Sequence, residues 1–152
     1  MIIRDFKYFA SIIKQKGRIL GLDIGSRNIG IALSDRDQLI ATPKLTLKRI
    51  KTTECIDFID NYINENKVVG IVSGIPLDSS ENGTNSSQKI MNFLSILDDK
   101  IHLPIYLNNE YLTSFEAEHL LIDNMDTSYK KTKQIVDKVA ASFILQDILD
   151  KL

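Results

Sequence analysis

The segment RILGLDIGSRNIGIALSD, residues 18–35, decides how the rest of the sequence is interpreted. It predicts an apolar strand, a tight turn and a second apolar strand, with one carboxylate, Asp23, inside the first strand. An ionised aspartate in such a strand is costly to desolvate unless a partner or a metal ion compensates its charge. Gly25 allows a turn and the close approach of a ligand to the backbone. The alternative is a hairpin in which Asp23 only caps its own turn, and these residues alone do not decide between the two.

Composition narrows the class of protein. The chain has 152 residues, 43% of them hydrophobic and 26% charged, which is typical of one soluble globular domain. The formal net charge of −1 indicates no overall positive field, although an acidic metal site and separate basic patches can cancel in the sum. The single cysteine, Cys55, excludes an intrachain disulfide and a cysteine-based zinc site. With no apolar run near the ~18–20 residues of a membrane span, and with early charges at the N-terminus, we expect a cytoplasmic protein without membrane association.

Hydrophobic periodicity predicts an α/β fold. Three strands in an antiparallel meander precede two strands that alternate with helices, which gives a mixed five-stranded sheet flanked by helices. We expect a helical extension at 1–17 and one domain at 18–152. The predicted strands are 18–24, 29–34, about 38–47, 68–75 and 105–108; the predicted helices are 2–15, 52–65 (capped by Thr52 or Thr53), 88–98, 114–122 and 134–151; a polar loop spans 78–87 and a basic connector 129–133.

Several common catalytic motifs are absent from the sequence. There is no P-loop, no G-x-G-x-x-G and no G-x-S-x-G pattern. The two histidines, His102 and His119, do not have the spacing of a metal-binding pair. Catalysis by a serine or cysteine nucleophile therefore has little support, and carboxylates remain as the candidate chemistry.

Three carboxylates are candidates for one site. Asp23 lies in the first strand, Glu110 directly follows the last strand, and Asp137 is near the start of the final helix. If the first strand is central, with 68–75 and 105–108 parallel to it, the strands bring Asp23 and Glu110 together and the last helix can place Asp137 over them. Such a cluster is self-repelling without a cation. With two Mg²⁺ or Mn²⁺ ions it becomes a template for phosphodiester hydrolysis.

Each acid also has an ordinary interpretation. Asp137 can pair with Lys133 one helical turn away, and Glu110 can complement the dipole of a helix that begins nearby. Only the combination with Asp23, in this order of elements, favours the metal site.

Four motifs in the same order carry a family resemblance over about residues 18–150. They are GLDIG with IGIALSD at 21–35, SGIPL with Gly83-Thr84, NEYLTS at 109–114, and VDKVAASFILQ at 136–146. The sequence resembles the YqgF/RuvX family of RNase H-like proteins, described as Holliday-junction resolvases and as pre-16S rRNA nucleases. The resemblance implies an RNase H-like fold and an active site formed by the acids at Asp23, Glu110 and Asp137.

The sequence departs from the family pattern beside one of these acids. Asn109 and Tyr111 stand where the family usually has an aspartate and an arginine, so a supplementary metal contact or a phosphate clamp is missing. Asn28 occupies a position that is often basic in the family, with Arg27 one place earlier. These departures bear on efficiency and substrate geometry more than on the fold.

The first functional hypothesis is a two-metal endonuclease using Mg²⁺ or Mn²⁺. The resemblance implies that it processes the 5′ end of pre-16S ribosomal RNA in ribosome biogenesis. Structured RNA would then contact four basic residues, Arg27, Lys130, Lys131 and Lys133. The alternative for the three lysines is a solvated loop without a role in binding.

Three other hypotheses remain. A Holliday-junction resolvase acting on branched DNA requires two active sites, and the sequence leaves the oligomeric state open. A non-catalytic RNA- or ribosome-binding module is suggested by Asn109 and Tyr111. An actin-like kinase or ATPase also uses an Asp-x-Gly strand and turn, but it needs two such domains.

Overall fold

A six-stranded mixed sheet forms the centre of the protein, shown here in a computed structural model that describes residues 1–13, 15–76, 85–109 and 129–152. The strands are β1 (Ile2–Ile3), β2 (Arg18–Ile24), β3 (Asn28–Ser34), β4 (Ala41–Lys48), β5 (Val68–Gly74) and β6 (Ile105–Asn108). Their order across the sheet is β1-β6-β5-β2-β3-β4. β1, β6, β5 and β2 run parallel, whereas β2, β3 and β4 form an antiparallel meander. β2 therefore lies where the two halves of the sheet meet.

Helices cover both faces of this sheet. They are α1 (Phe6–Ile12), α2 (Thr52–Asn66), α3 (Asn85–Ile101) and α4 (Tyr129–Leu149). The apolar side chains of α2 and α3 form one core with one face of the sheet, and those of α1 and α4 form a second core with the other face. Within the described ranges, none of the helices combines the length and the apolar character that a membrane span needs.

Glycines on the strands allow α4 to lie unusually close to the sheet. A Cβ atom on Gly30 would lie 1.8 Å from the backbone oxygen of Asp137. On Gly21 it would lie 2.8 Å from the backbone oxygen of Ala141, and on Gly74 2.6 Å from Cδ1 of Ile144. Because no larger residue fits at Gly30 without displacing backbone, this contact determines the position of α4 over β3.

The predicted α/β architecture, with an antiparallel meander and two further parallel strands, is confirmed, but the predicted number of five strands is wrong. Ile2 and Ile3 pair with Ile105 and Tyr106, and so add a sixth strand at the edge. The predicted helix over 2–15 is correspondingly reduced to α1. This helix begins after Asp5, whose side chain accepts a hydrogen bond from the backbone N–H of Tyr8 at 2.9 Å. Two isoleucines are too short a run for their periodicity to distinguish strand from helix.

Other predicted boundaries also shift. Lys51 is the N-cap of α2 and makes no side-chain capping bond, so neither Thr52 nor Thr53 caps this helix. β4 begins at Ala41 because the preceding residues form a turn in which Asp35 accepts hydrogen bonds from Leu39 and Ile40. α3 is longer than predicted at both ends, and α4 includes the predicted basic connector at 129–133.

Two predictions about the organisation of the chain are not settled by these elements. The predicted helix at 114–122 lies outside the described residues. The division into an extension at 1–17 and a domain at 18–152 stays a prediction. The structure shows only that the first of these segments contributes β1 to the sheet and Phe9 to a buried core.

Candidate active site

A cleft of about 310 Å³ opens at the carboxyl ends of β2 and β5. Its walls come from the end of β2 and the β2–β3 turn, the end of β5 and the residues that follow it, the start of α3, the middle of α4 and the residue that follows β4. Ligands bind characteristically beyond the carboxyl ends of parallel strands, because the connecting loops leave a crevice there. Two of the predicted acids, Asp23 and Asp137, line this cleft.

The pairing of β2 with β3 explains how these two acids meet. Asp23 lies directly opposite Gly30 in the antiparallel ladder. Directly opposite residues present their side chains on the same face of a sheet, so Asp23 is on the face against which Asp137 packs at Gly30. Asp137 is only 5% exposed, whereas Asp23 is half-buried. Two carboxylates from distant parts of the sequence are thus held in one cleft by rigid elements.

The end of β6 is connected to the same region. The side-chain N–H₂ of Asn108 donates to the backbone oxygen of Ile144 at 3.2 Å and to a carboxylate oxygen of Asp147 at 3.0 Å. The backbone oxygen of Asn108 accepts from the N–H of Ile75, a residue of the cleft wall, at 2.9 Å. The chain therefore leaves β6 beside α4 and the cleft. Glu110 follows two residues later, but it lies outside the described residues.

Two basic side chains, Arg49 and Lys89, also line the cleft, and sequence reasoning missed both. Nη1 of Arg49 donates to the backbone oxygen of Gly25 at 2.9 Å, and its guanidinium carbon lies 5.0 Å from the centre of the Phe93 ring. Its backbone N–H donates to the oxygen of Arg27 at 2.8 Å. For Arg49, the only signal in the sequence was the basic pair Lys48-Arg49 just after a predicted strand. Such a pair does not distinguish a residue of a cleft from a solvated one.

The four predicted phosphate contacts have different outcomes. Arg27 is exposed on the β2–β3 turn, whose neighbouring Gly25 and Ser26 line the cleft. Lys130, Lys131 and Lys133 fall in the first turns of α4, the helix that carries Asp137, but their side chains are outside the described part of the structure. Their contacts with phosphate, and the alternative pairing of Lys133 with Asp137, stay predictions.

Oxygen donors are present in the cleft for a hard divalent cation. Carboxylates are the ligands that Mg²⁺ and Mn²⁺ prefer, and Asp23 and Asp137 supply two of them. Over the described ranges, no group of three or more His, Cys, Asp or Glu residues is placed to hold a metal ion. The third predicted ligand, Glu110, is outside those ranges, so two of the three proposed donors are located here.

Cys55 has a structural role in this arrangement. Its side chain is buried at the start of α2, and its thiol donates to the backbone oxygen of Lys48 at 3.5 Å. Burial raises the pKa of the Cys55 thiol, which disfavours the reactive thiolate.

A family model and individual relatives match nearly the whole length of this chain. A family model described as "RuvX: Holliday junction resolvase" matches residues 17–151. Two curated relatives carry the name "Putative pre-16S rRNA nuclease". One, from Thermoanaerobacter pseudethanolicus, is 39% identical over 88% of this chain and 96% of its own length. The other, from Rickettsia rickettsii, is 36% identical over 100% of this chain and 98% of its own.

Solved structures share the fold at low sequence identity. The RuvC protein of T. thermophilus, in complex with a Holliday junction substrate, has a TM-score of 0.56 and 8% identity, covering 89% of this chain and 95% of its own. The Holliday junction resolvase of Fowlpox virus has a TM-score of 0.51 and 15% identity, covering 89% of this chain and 99% of its own. At such identities the similarity shows a shared RNase H-like fold and nothing finer.

Proposed function

The chain belongs to the RuvX family, and we propose that it is a metal-dependent nuclease whose active site is the cleft at Asp23 and Asp137. We propose structured RNA as its substrate, in the processing of the 5′ end of pre-16S ribosomal RNA, because relatives that match nearly the whole chain are named for a nuclease of pre-16S rRNA. Such a role places the protein in the cytoplasm. The observation that carries the proposal is the convergence of two carboxylates from separate elements through the contact of α4 with Gly30.

The donor set fits one or two hard divalent cations. Asp23 and Asp137 would hold them, with Glu110 as the third predicted ligand. When bound, such cations lower the pKa of an attacking water and stabilise the charge on the scissile phosphate.

The fold positions the two aspartates at the cleft. Asp23 lies on β2, which pairs with β3 on one side and with β5 on the other, so its backbone is held at the cleft. Asp137 is fixed by the packing of α4 against Gly30. Gly25 and Gly74, at the carboxyl ends of β2 and β5, line the cleft beside these acids.

A cleavage assay tests this proposal. Purified protein is incubated with an RNA that contains the 5′ precursor of 16S rRNA, in Mg²⁺, in Mn²⁺ and in EDTA. We expect cleavage with either metal and none in EDTA. Asp23→Asn and Asp137→Asn should each lower the rate by at least about 10²-fold. The matched control is Asp37→Asn, which alters an exposed aspartate in the turn at the other end of β3 and should cleave at the wild-type rate.

Resolution of branched DNA is the second candidate, because the matching family model carries that description. A four-way DNA junction in the same assay separates the two substrates, and paired symmetrical cuts by a dimer would favour the resolvase. Tight RNA binding without cleavage in any metal would instead favour a non-catalytic binding module. Full activity in Asp23→Asn would contradict both nuclease proposals.

A further inference from the structure

The two walls of the cleft carry opposite charge, and they come from opposite faces of the sheet. Asp137 belongs to α4, which packs on one face, and Asp23 points to that face. Arg49 lies over Phe93 of α3, a residue of the core on the other face. The edge of the sheet at the carboxyl ends of β2 and β5 therefore separates an anionic wall from a cationic one.

Arg49 is held in place rather than extended into solvent. The hydrogen bond to Gly25 and the ring of Phe93 constrain its guanidinium from two sides. The bond to Gly25 uses one of the five N–H groups of the guanidinium. Among the described residues, the guanidinium makes no second hydrogen bond. A fixed guanidinium with N–H groups to spare, beside a cleft, is suited to bidentate binding of a phosphate.

We propose that Arg49 binds a phosphodiester group of the substrate, while Asp23 and Asp137 act on the scissile bond from the other wall of the cleft. Gly25 and Phe93 are then positioning residues, which set the guanidinium at the cleft before the nucleic acid arrives. This inference rests on the proposed function, since it assigns the phosphate-binding residue of the same site. Arg49 lies outside the four motifs that carry the family resemblance.

The test is the salt dependence of binding, which does not require turnover. Fluorescence anisotropy measures the affinity for an end-labelled RNA hairpin with single-stranded flanks and, separately, for a four-way DNA junction. Ca²⁺ is the only divalent cation present. We expect Arg49→Gln to weaken binding roughly tenfold. The slope of log affinity against log salt should become shallower by about 0.7–0.9, the contribution of one phosphate contact.

Two further variants separate a phosphate contact from other effects. Arg49→Lys keeps a positive charge without the planar fork, so it should keep the wild-type slope and bind about threefold more weakly. Arg36→Gln removes the same charge from an exposed residue in the β3–β4 turn, at the far end of β3 from the cleft. It should leave both affinity and slope unchanged.

The outcomes distinguish this inference from the proposed function. Thermal unfolding shows whether Arg49→Gln is folded. If the folded variant binds with wild-type affinity and salt slope, the role of Arg49 is overturned, even if the protein cleaves RNA. A shallower slope of log affinity against log salt in Arg49→Gln supports the role of Arg49, even if the protein never cleaves RNA or DNA. If Arg49→Gln does not fold, Arg49→Lys decides, and undiminished affinity in that variant overturns the inference. The substrate that shows the change in slope, RNA or junction DNA, identifies the source of the phosphate.

Discussion

The two faces of strand β2 carry different kinds of residue, although they alternate along the same seven positions. Leu20, Leu22 and Ile24 are large, buried and packed against the α2 and α3 face. The other face presents the buried Ile19 near the start of the strand, followed by Gly21 and Asp23 beneath α4. Toward the carboxyl end of β2, one face therefore contributes apolar volume, whereas the other gives up volume so that a helix bearing Asp137 can approach closely. Stability and site geometry should consequently respond differently to substitutions on the two faces.

The largest combined effect is expected from Gly30→Ala. Its Cβ would lie 1.8 Å from the backbone oxygen of Asp137, so α4 must move. We expect a loss of about 3 kcal/mol in the free energy of unfolding. Cleavage should fall by about 10²-fold or more, because a displacement near 1 Å misplaces the carboxylate. Urea denaturation and the RNA cleavage assay measure both.

A matched control lies next to it on the opposite face. Ile31→Val removes one methylene from the α2 and α3 core and should cost about 1 kcal/mol without changing the cleavage rate. Wild-type activity in Gly30→Ala would show that α4 is not positioned by this contact.

The second prediction separates stability from activity. Ile59→Ala truncates a fully buried side chain of α2, away from the cleft. It should lower the free energy of unfolding by about 2–5 kcal/mol. The cleavage rate per folded molecule should stay at the wild-type value, measured below the unfolding transition. A parallel loss of rate would mean that the two faces are mechanically coupled.

A smaller effect is expected at the end of β6. Asn108→Ala removes the hydrogen bonds to Ile144 and Asp147. The buried backbone oxygen of Ile144 then lacks the N–H donor that Asn108 supplied. We expect a loss of about 1–3 kcal/mol in the free energy of unfolding. Asn108→Asp replaces the donor with an acceptor and should cost at least as much at neutral pH. An unchanged denaturation midpoint in both variants would contradict the role of Asn108 in joining β6 to α4.

The smallest effect concerns the turn far from the cleft. Hydrogen bonds from the backbone N–H groups of Ile40 and Leu39 hold the pKa of Asp35 below its ordinary value. Since the folded-state pKa is the lower one, this stabilisation is present above the unfolded value near pH 4 and is lost as pH falls through the folded value. Asp35→Asn should lower the thermal midpoint at pH 7 by no more than about 2 °C. That difference should shrink as the pH falls below about 4, and a difference that grows there would reverse the assignment.

Local sequence signals singled out the two acids that line the cleft, whereas the contacts around them are long-range. Asp23 was identifiable because a charge in an apolar strand is conspicuous, and Asp137 because helical periodicity put it beside a buried stripe. The roles of Gly30 and Arg49 depend on contacts with Asp137 and Phe93, which no local pattern encodes. The strand at Ile2–Ile3 exists only because β6 offers an edge to pair with.

Mn²⁺ binding tests the central claim most directly. Titration calorimetry of the wild-type protein should show saturable binding at millimolar concentration or below. Asp23→Asn and Asp137→Asn should each weaken that binding at least about tenfold, because each removes a charged oxygen ligand. Asp37→Asn should bind Mn²⁺ as the wild-type protein does. If the wild-type protein binds no Mn²⁺, or if both cleft variants bind it with unchanged affinity, Asp23 and Asp137 do not form a metal site.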